Sequence, residues 1–96
     1  MTHTWKIKEL HSNATTGLVI RAYYQLITEH NGITYETPIK NFVPTGSISD
    51  PGFITYSSLT EADVLTWLET YRELTSEETN MENDINSRPL LKGLPW

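Results

Sequence analysis

Residue types that could support catalysis or metal binding are present, but their spacing does not form a recognised site. The three histidines, His3, His11 and His30, fall at the ends of predicted strands and in a turn. None has a partner four residues away on a predicted helix, and none stands beside a carboxylate cluster, as histidine-based metal sites require. We therefore expect solvent-exposed histidines and no bound metal or cofactor.

Carboxylates are abundant in the second half of the chain, where they follow predicted helices. They are Glu61, Asp63, Glu77, Glu78, Glu82 and Asp84. Catalysis by a carboxyl pair needs one buried member with a raised pKa, whereas helical spacing predicts solvated groups here. Ser57-Ser58 lacks the flanking glycines of a nucleophile elbow, and no glycine pattern matches a phosphate-binding loop. The sequence therefore predicts a protein that is not an enzyme.

The aromatic side chains are a richer signal than the polar ones. They make up 10% of the 96 residues, more than one helical layer can cover. Trp5 and Trp67 fit core positions. Tyr23 and Tyr35 fall in opposite phase on two strands predicted to pair, so they form either an exposed cross-strand pair or part of a protein interface. We predict that both tyrosines bind a partner.

Residues 88–96 predict an extended docking tail. Pro89 and Pro95 prevent a helix, and large apolar residues are unusual in a freely solvated chain end. The candidate partner-binding residues of this tail are Leu90, Leu91, Leu94 and Trp96. They either contact a partner or fold back onto the sheet of the same subunit.

Three β-rich runs, residues 3–10, 18–28 and 33–43, predict the strands that position these side chains. Asn31-Gly32 tolerates the positive φ angles of a tight hairpin, and Pro38 predicts an edge strand or a bulge because it has no N–H. The first 45 residues thus predict a three-stranded antiparallel meander.

Alternation along these strands predicts which side chains share a face. In the first strand, Trp5 and Ile7 lie on one face, and the other face carries Thr4, Lys6 and Lys8. In the second strand, one face carries Leu18, Ile20, Ala22, Tyr24 and Leu26. The other face of that strand carries Val19, Arg21, Tyr23, Gln25 and Ile27, and it is only half polar.

A main helix is predicted over residues 59–74, because Thr60 and Asp63 are spaced as a capping box. Its apolar stripe consists of Val64, Trp67, Leu68 and Tyr71. A weaker helix is predicted over residues 76–87, with a second capping box between Thr75 and Glu78 and a narrow stripe of Met81 and Ile85.

These elements predict one α+β domain over residues 1–96. A three-stranded antiparallel meander (1–45) packs against one main amphipathic helix, followed by the weak helix and the extended C-terminal tail. A chain of this length can bury a core without disulfide bonds or structural metal ions, and it contains no cysteine.

Charge is divided unevenly along the chain. Residues 1–46 carry four basic and three acidic side chains, a net of +1, while residues 47–96 carry three basic and nine acidic ones, a net of −6. An acidic surface repels phosphates, so we expect no nucleic-acid partner. No apolar run is long enough to span a bilayer, so we expect no membrane partner and a cytoplasmic protein. The acidic helical face is either simply solvated or a docking surface.

Three motifs recur together in the chain: Thr4–Leu10 (TWKIKEL), Tyr56–Trp67 (YSSLTEADVLTW) and the terminal Gly93–Trp96 (GLPW). This combination resembles a family of small uncharacterised proteins encoded by tailed bacteriophages, with a C-terminal Leu-Pro-Trp tail. The resemblance implies a phage origin and supplies neither an activity nor catalytic residues.

We therefore expect a non-enzymatic phage protein that acts by protein-protein interaction, as a virion-associated structural or accessory component. It would self-associate as a homo-oligomer or dock on a phage assembly, in the host cytoplasm or incorporated into the virion. The alternative is an intracellular modulator that binds a host protein through the acidic face around Glu77, Glu78 and Glu82.

Overall fold

A computed structural model of the chain describes residues 1–44, 49, 51 and 53–88. The elements in chain order are β1 (Thr2–Ser12), β2 (Val19–His30), β3 (Ile33–Glu36), β4 (Lys40–Phe42), α1 (Glu61–Tyr71) and α2 (Leu74–Ser87). A single 3₁₀ turn, Tyr56–Ser58, precedes α1. The predicted α+β class, with an antiparallel sheet and two helices, is confirmed. The predicted docking tail, apart from Arg88, lies outside the described residues.

Strand β2 is the centre of the sheet. It pairs antiparallel with β1 on one side and with both β3 and β4 on the other. The single returning strand that was predicted over residues 33–43 is thus two strands with a break between them. The break contains Pro38, whose missing N–H favours such an interruption. Thr37 bridges it, since its N–H donates to the Leu26 carbonyl (3.1 Å) and its hydroxyl accepts from the Leu26 N–H (3.1 Å).

The β2–β3 hairpin turns at Asn31-Gly32, as predicted. Asn31 has φ 53° and Gly32 has φ 74°, so both occupy the left-handed region. His30 and Ile33 are the flanking pair. This geometry matches a two-residue hairpin whose twist agrees with that of the strands.

Two bulges between β1 and β2 change which side chains share a face. The register shifts between Ile7 and Glu9 and again between His11 and Ser12, which leaves Lys8 and Ile20 as the extra residues. Ile20 is 50% exposed whereas Val19 is 7% exposed. The prediction that Ile20 shares the buried face with Ala22 is therefore wrong, because the bulge exchanges the directions of Val19 and Ile20.

The core lies between this face of the sheet and the helices. Its buried cluster consists of Ala22, Tyr24, Phe42, Val64 and Leu68. Trp5 and Trp67, the two tryptophans assigned to the core, pack against this cluster but are only partly buried. The fully enclosed residues of α1 are instead Val64 and Leu68, which anchor the helix through the hydrophobic effect.

Helix α1 begins where the sequence predicts. The Thr60 hydroxyl accepts from the Asp63 N–H (3.3 Å), and the Asp63 carboxylate accepts from the Thr60 N–H (3.0 Å), which completes the capping box. Glu61, in the first turn, accepts a hydrogen bond from the Ile7 N–H of β1 (3.0 Å). The helix ends at Tyr71 because Arg72 adopts an extended conformation, so it is shorter than the predicted 59–74.

Helix α2 begins at Leu74, so Thr75 lies inside its first turn and caps nothing. The predicted capping box between Thr75 and Glu78 is therefore wrong. The box fails because the chain leaves α1 at Arg72 and begins α2 two residues later, before Thr75. In addition, the Glu78 carboxylate accepts a hydrogen bond from the Trp5 indole N–H (3.5 Å). Neither described helix has the length and apolarity needed to cross a lipid bilayer.

Candidate functional site

The face of the sheet opposite the helices carries Tyr23 at its centre. Because Ala22 and Tyr24 point into the core, Tyr23 points the other way. Its neighbours across the sheet are Glu9 in β1 and Asn41 in β4. Tyr23 is partly buried by these neighbours.

Five residues form what we call the Tyr23 cluster: Glu9, His11, Arg21, Tyr23 and Asn41. The His11 and Tyr23 rings meet edge to face, with centroids 4.8 Å apart and planes at 62°. The Tyr23 hydroxyl lies 3.5 Å from His11 Nδ1, and Glu9 Oε2 lies 3.5 Å from His11 Nε2. A neutral imidazole protonated at Nε2 satisfies both contacts, since it donates to the carboxylate and accepts from the phenol.

The Arg21 guanidinium is held in place beside Tyr23. It donates to the Asn41 side-chain oxygen over 2.8 Å. A guanidinium has five N–H donors in a planar fork, so this single bond leaves Arg21 able to bind a further acceptor. The cluster thus presents an aromatic ring, a positioned guanidinium and an imidazole on one surface.

Chemistry at this cluster is limited by its exposure. The side chains of His11 and Glu9 are 52% and 65% exposed, and they project from a strand face. Their separations of 3.5 Å lie at the weak end of hydrogen bonding, where water competes. The arrangement is better suited to recognition than to proton transfer, which works best at a positioned and desolvated group.

The bulge at Lys8 creates this cluster. Uninterrupted alternation would place Glu9 on the same face as Trp5 and Ile7, toward the core. The register shift after Ile7 instead sets Glu9 opposite Tyr23. Sequence reasoning singled out Tyr23 but did not place Glu9 and His11 beside it, because no residue type in this part of β1 marks a bulge.

Tyr35 lies on the other side of the sheet. It pairs with Thr28, which faces the helices, so Tyr23 and Tyr35 do not form a cross-strand pair. Tyr35 lines a groove between β3 and α2, together with Met81 and Pro38. The exposed pair that was one alternative for these tyrosines is therefore wrong.

Three acidic residues of α2 contact side chains of the sheet. Glu77 Oε1 lies 2.7 Å from Lys40 Nζ, and Glu82 Oε1 lies 3.2 Å from His3 Nε2. Glu78 contacts the Trp5 indole, as described above. The expectation that these three carboxylates form an outward acidic surface is wrong, because each has a partner on the sheet.

His3 forms a chain of polar contacts, which we call the His3 relay, with Thr28 and Glu82, and the sequence did not reveal it. Its Nδ1 lies 2.8 Å from the Thr28 hydroxyl, and its Nε2 contacts Glu82. The hydroxyl–imidazole–carboxylate order resembles that of a nucleophilic triad, but Thr28 is 0% exposed and cannot meet a substrate. The relay ties α2 to β1 and β2. The His3 side chain is 15% exposed, so the expectation that it is solvated is wrong. The sequence did contain a sign of its burial, since His3 alternates with Trp5 and Ile7 and therefore lies on the same face of β1.

No group of three or more metal-ligating side chains occurs among the residues that the structure describes. Leu90, Leu91, Leu94 and Trp96, the predicted partner-binding residues of the tail, lie outside them. Of the predicted partner-binding residues, the described part of the chain thus contains Tyr23, on the face of the sheet opposite the helices, and Tyr35, in the groove.

A model of a family described as a domain of unknown function (DUF7936) matches residues 1–96. No curated protein and no solved structure matches the chain. The family description supplies no activity, so an account of function depends on the surface of the molecule.

Proposed function

Because the chain belongs to this family of unknown function, we propose its role from its surface: a non-enzymatic protein that acts by protein-protein interaction. The observation that carries the proposal is the Tyr23 cluster on the face of the sheet opposite the helices. In view of the resemblance of the three sequence motifs to small phage proteins, we propose that the interaction serves a virion, in which the protein is a structural or accessory component.

The composition of the cluster supports this proposal. Tyrosine and arginine are enriched among the residues that dominate binding energy at interfaces. Arg21 is fixed by Asn41, and the Tyr23 ring is braced by His11. Side chains already held in one rotamer lose less entropy on binding, so more of their contact energy contributes to affinity.

The two constellations of described residues that come nearest to active sites support a role other than catalysis. The Glu9–His11–Tyr23 contacts are long and solvated. The Thr28–His3–Glu82 contacts are short, but the hydroxyl is fully buried. Neither combines a reactive group with a water-excluded space for substrate, as nucleophilic or acid-base catalysis requires.

The C-terminal residues Leu90, Leu91, Leu94 and Trp96 remain part of the proposal. They either contact the partner or pack on their own subunit, and the Tyr23 interface does not depend on which alternative holds. The alternative function, binding of a host protein through the acidic helix, loses its support because Glu77, Glu78 and Glu82 are engaged by the sheet.

Sedimentation velocity on purified protein tests the self-association that we propose. Tyr23→Ala should weaken the association about 30-fold or more, because truncating a central interface tyrosine costs about 2 kcal/mol or more and each 1.4 kcal/mol is a factor of ten. The matched control is Tyr56→Ala, which removes an exposed tyrosine that lies outside the sheet. Equal association of both variants and wild type would show that Tyr23 is not at the interface.

A further inference from the structure

The face of the sheet opposite the helices carries a row of β2 side chains that is symmetric in polarity and opposite in charge at its two ends. Strand β2 alternates regularly from residue 21 to residue 29, because its even-numbered members in this range are buried on the helix side. The odd-numbered residues therefore form the row, which consists of Arg21, Tyr23, Gln25, Ile27 and Glu29. A cation stands at one end, an anion at the other and an amide at the centre.

Both charged ends of the row are able to bind a partner. The Arg21 guanidinium donates one hydrogen bond to Asn41 (2.8 Å) and has further N–H groups. Glu29 is exposed, and its carboxylate has no hydrogen-bond or ion-pair partner among the described residues. About 26 Å of extended strand separates Arg21 from Glu29, so the two charges cannot pair within one chain.

We infer that this row binds the same row of a second copy of the chain, with the two sheets stacked face to face and their β2 strands antiparallel. A twofold axis between the sheets, at the level of Gln25 and perpendicular to the strands, relates the copies. Arg21 of each copy then meets Glu29 of the other, and the Tyr23 ring packs on Ile27, which buries apolar area on both copies. The inference rests on the proposed function and deepens it, since it names the partner of the Tyr23 cluster and the orientation of that partner.

The charges select this arrangement over the other twofold stacking. With the axis parallel to β2, Arg21 would face Arg21 and Glu29 would face Glu29, and like charges oppose association. Stacked sheets lie about 10 Å apart with strands within about 30° of alignment, a spacing that an arginine and a glutamate together can bridge. The antiparallel stacking brings Lys6 opposite its own copy, but Lys6 Nζ lies 3.7 Å from Glu61 Oε1, which offsets that repulsion.

The edges of the described sheet are less suited to a second copy than this face is. At the β1 edge the Ile7 N–H is already bound by Glu61 (3.0 Å), and the bulge at Lys8 interrupts the ladder. The other edge is divided at Pro38 into β3 and β4. Neither edge offers a long regular ladder, whereas the face offers an unbroken row of five side chains.

Exchange of the two end charges tests the orientation of the copies. Arg21→Glu and Glu29→Arg are measured alone by sedimentation velocity, then mixed in equal amounts, and finally combined in one chain. Each single variant should associate roughly tenfold more weakly than wild type, or less, because attraction changes to repulsion at two symmetric contacts. The mixture and the double variant should both associate within about threefold of wild type, since every arginine again meets a glutamate.

The matched control is Glu69→Arg, which makes the same charge change on the exposed surface of α1 and should associate like wild type. Native mass spectrometry should show mainly mixed dimers when Arg21→Glu and Glu29→Arg are combined. When Arg21→Glu is combined with Glu69→Arg, it should show mainly dimers of Glu69→Arg alone. Thermal melting confirms that each variant folds.

The result that overturns the inference differs from the result that overturns the proposed function. Single variants that associate like wild type, or that fail to restore each other, would overturn the antiparallel stacking even if Tyr23→Ala weakens association. Wild-type protein that stays monomeric would overturn the proposed self-association itself, and the stacking with it.

Discussion

Among the described residues, helix α2 is held in place by one buried apolar side chain, by the partly buried Leu74 and by a few polar contacts, which leads to a quantitative prediction for Ile85→Ala. Ile85 is 2% exposed and is the buried residue of α2. The helix has no side-chain N-cap, and its carboxylate contacts to His3, Trp5 and Lys40 are partly solvated. Ile85 should therefore set the free energy of local opening of this helix.

Removing a buried isoleucine side chain costs about 2–5 kcal/mol. If the full loss falls on the opening of α2, about 3 kcal/mol corresponds to a roughly 150-fold rise in the open population. Native-state hydrogen exchange, read by mass spectrometry on peptides from α2, α1 and β2, measures this rise. We expect it in α2 only, since Leu68 and Val64 hold α1 to the sheet without Ile85.

The matched control is Asn86→Ala, which changes an exposed neighbour on the same helix and should leave exchange in α2 within a few-fold of wild type. Two results would refute the reasoning. An equal acceleration in β2 would show that α2 opens only with the whole domain, and no acceleration in α2 would show that Ile85 does not hold it.

Two further predictions concern the remaining helix. Leu68→Ala should lower the free energy of unfolding by about 2–5 kcal/mol, and Tm by about 10 °C or more, because Leu68 is 0% exposed at the centre of the core; a melting curve close to wild type would show that α1 is not seated as described. Thr60→Ala should cost about 0.5–2 kcal/mol in urea denaturation through loss of the capping box. Thr66→Ala, on the exposed face, is the control for both and should be neutral, so an equal loss there would contradict the cap assignment.

Features fixed by neighbouring residues could be predicted from the sequence. The Thr60–Asp63 cap and the Asn31-Gly32 hairpin each depend on interactions within four residues, and both are present. Pro38 predicted an edge strand or a bulge because it lacks an N–H, and the structure has a break between two strands there. Features set by packing could not be predicted in this way. The failed cap at Thr75 reflects how α2 follows α1, and the exposure of Ile20 reflects a bulge that no residue type announces.

The candidate site shows the same division. Alternation along β2 placed Tyr23 opposite Ala22 and Tyr24, and this holds in the structure. The approach of Glu9 and His11 depends on the extra residue Lys8, and the contact of His3 with Glu82 joins residues 79 positions apart. Contacts that depend on packing or on a bulge leave no local pattern, so His3 and His11, which looked isolated in the sequence, each have a carboxylate partner in the fold.

Quantitative mass spectrometry of purified virions tests the proposed virion role most directly, when the phage that we propose encodes the protein carries the wild-type gene, Tyr23→Ala or Tyr56→Ala. We expect wild type and Tyr56→Ala at one fixed ratio to a major virion protein, and Tyr23→Ala depleted at least tenfold from virions despite normal levels in infected cells. Wild-type protein absent from virions would contradict the virion role, and undiminished incorporation of Tyr23→Ala would contradict the assignment of the Tyr23 cluster as the interface.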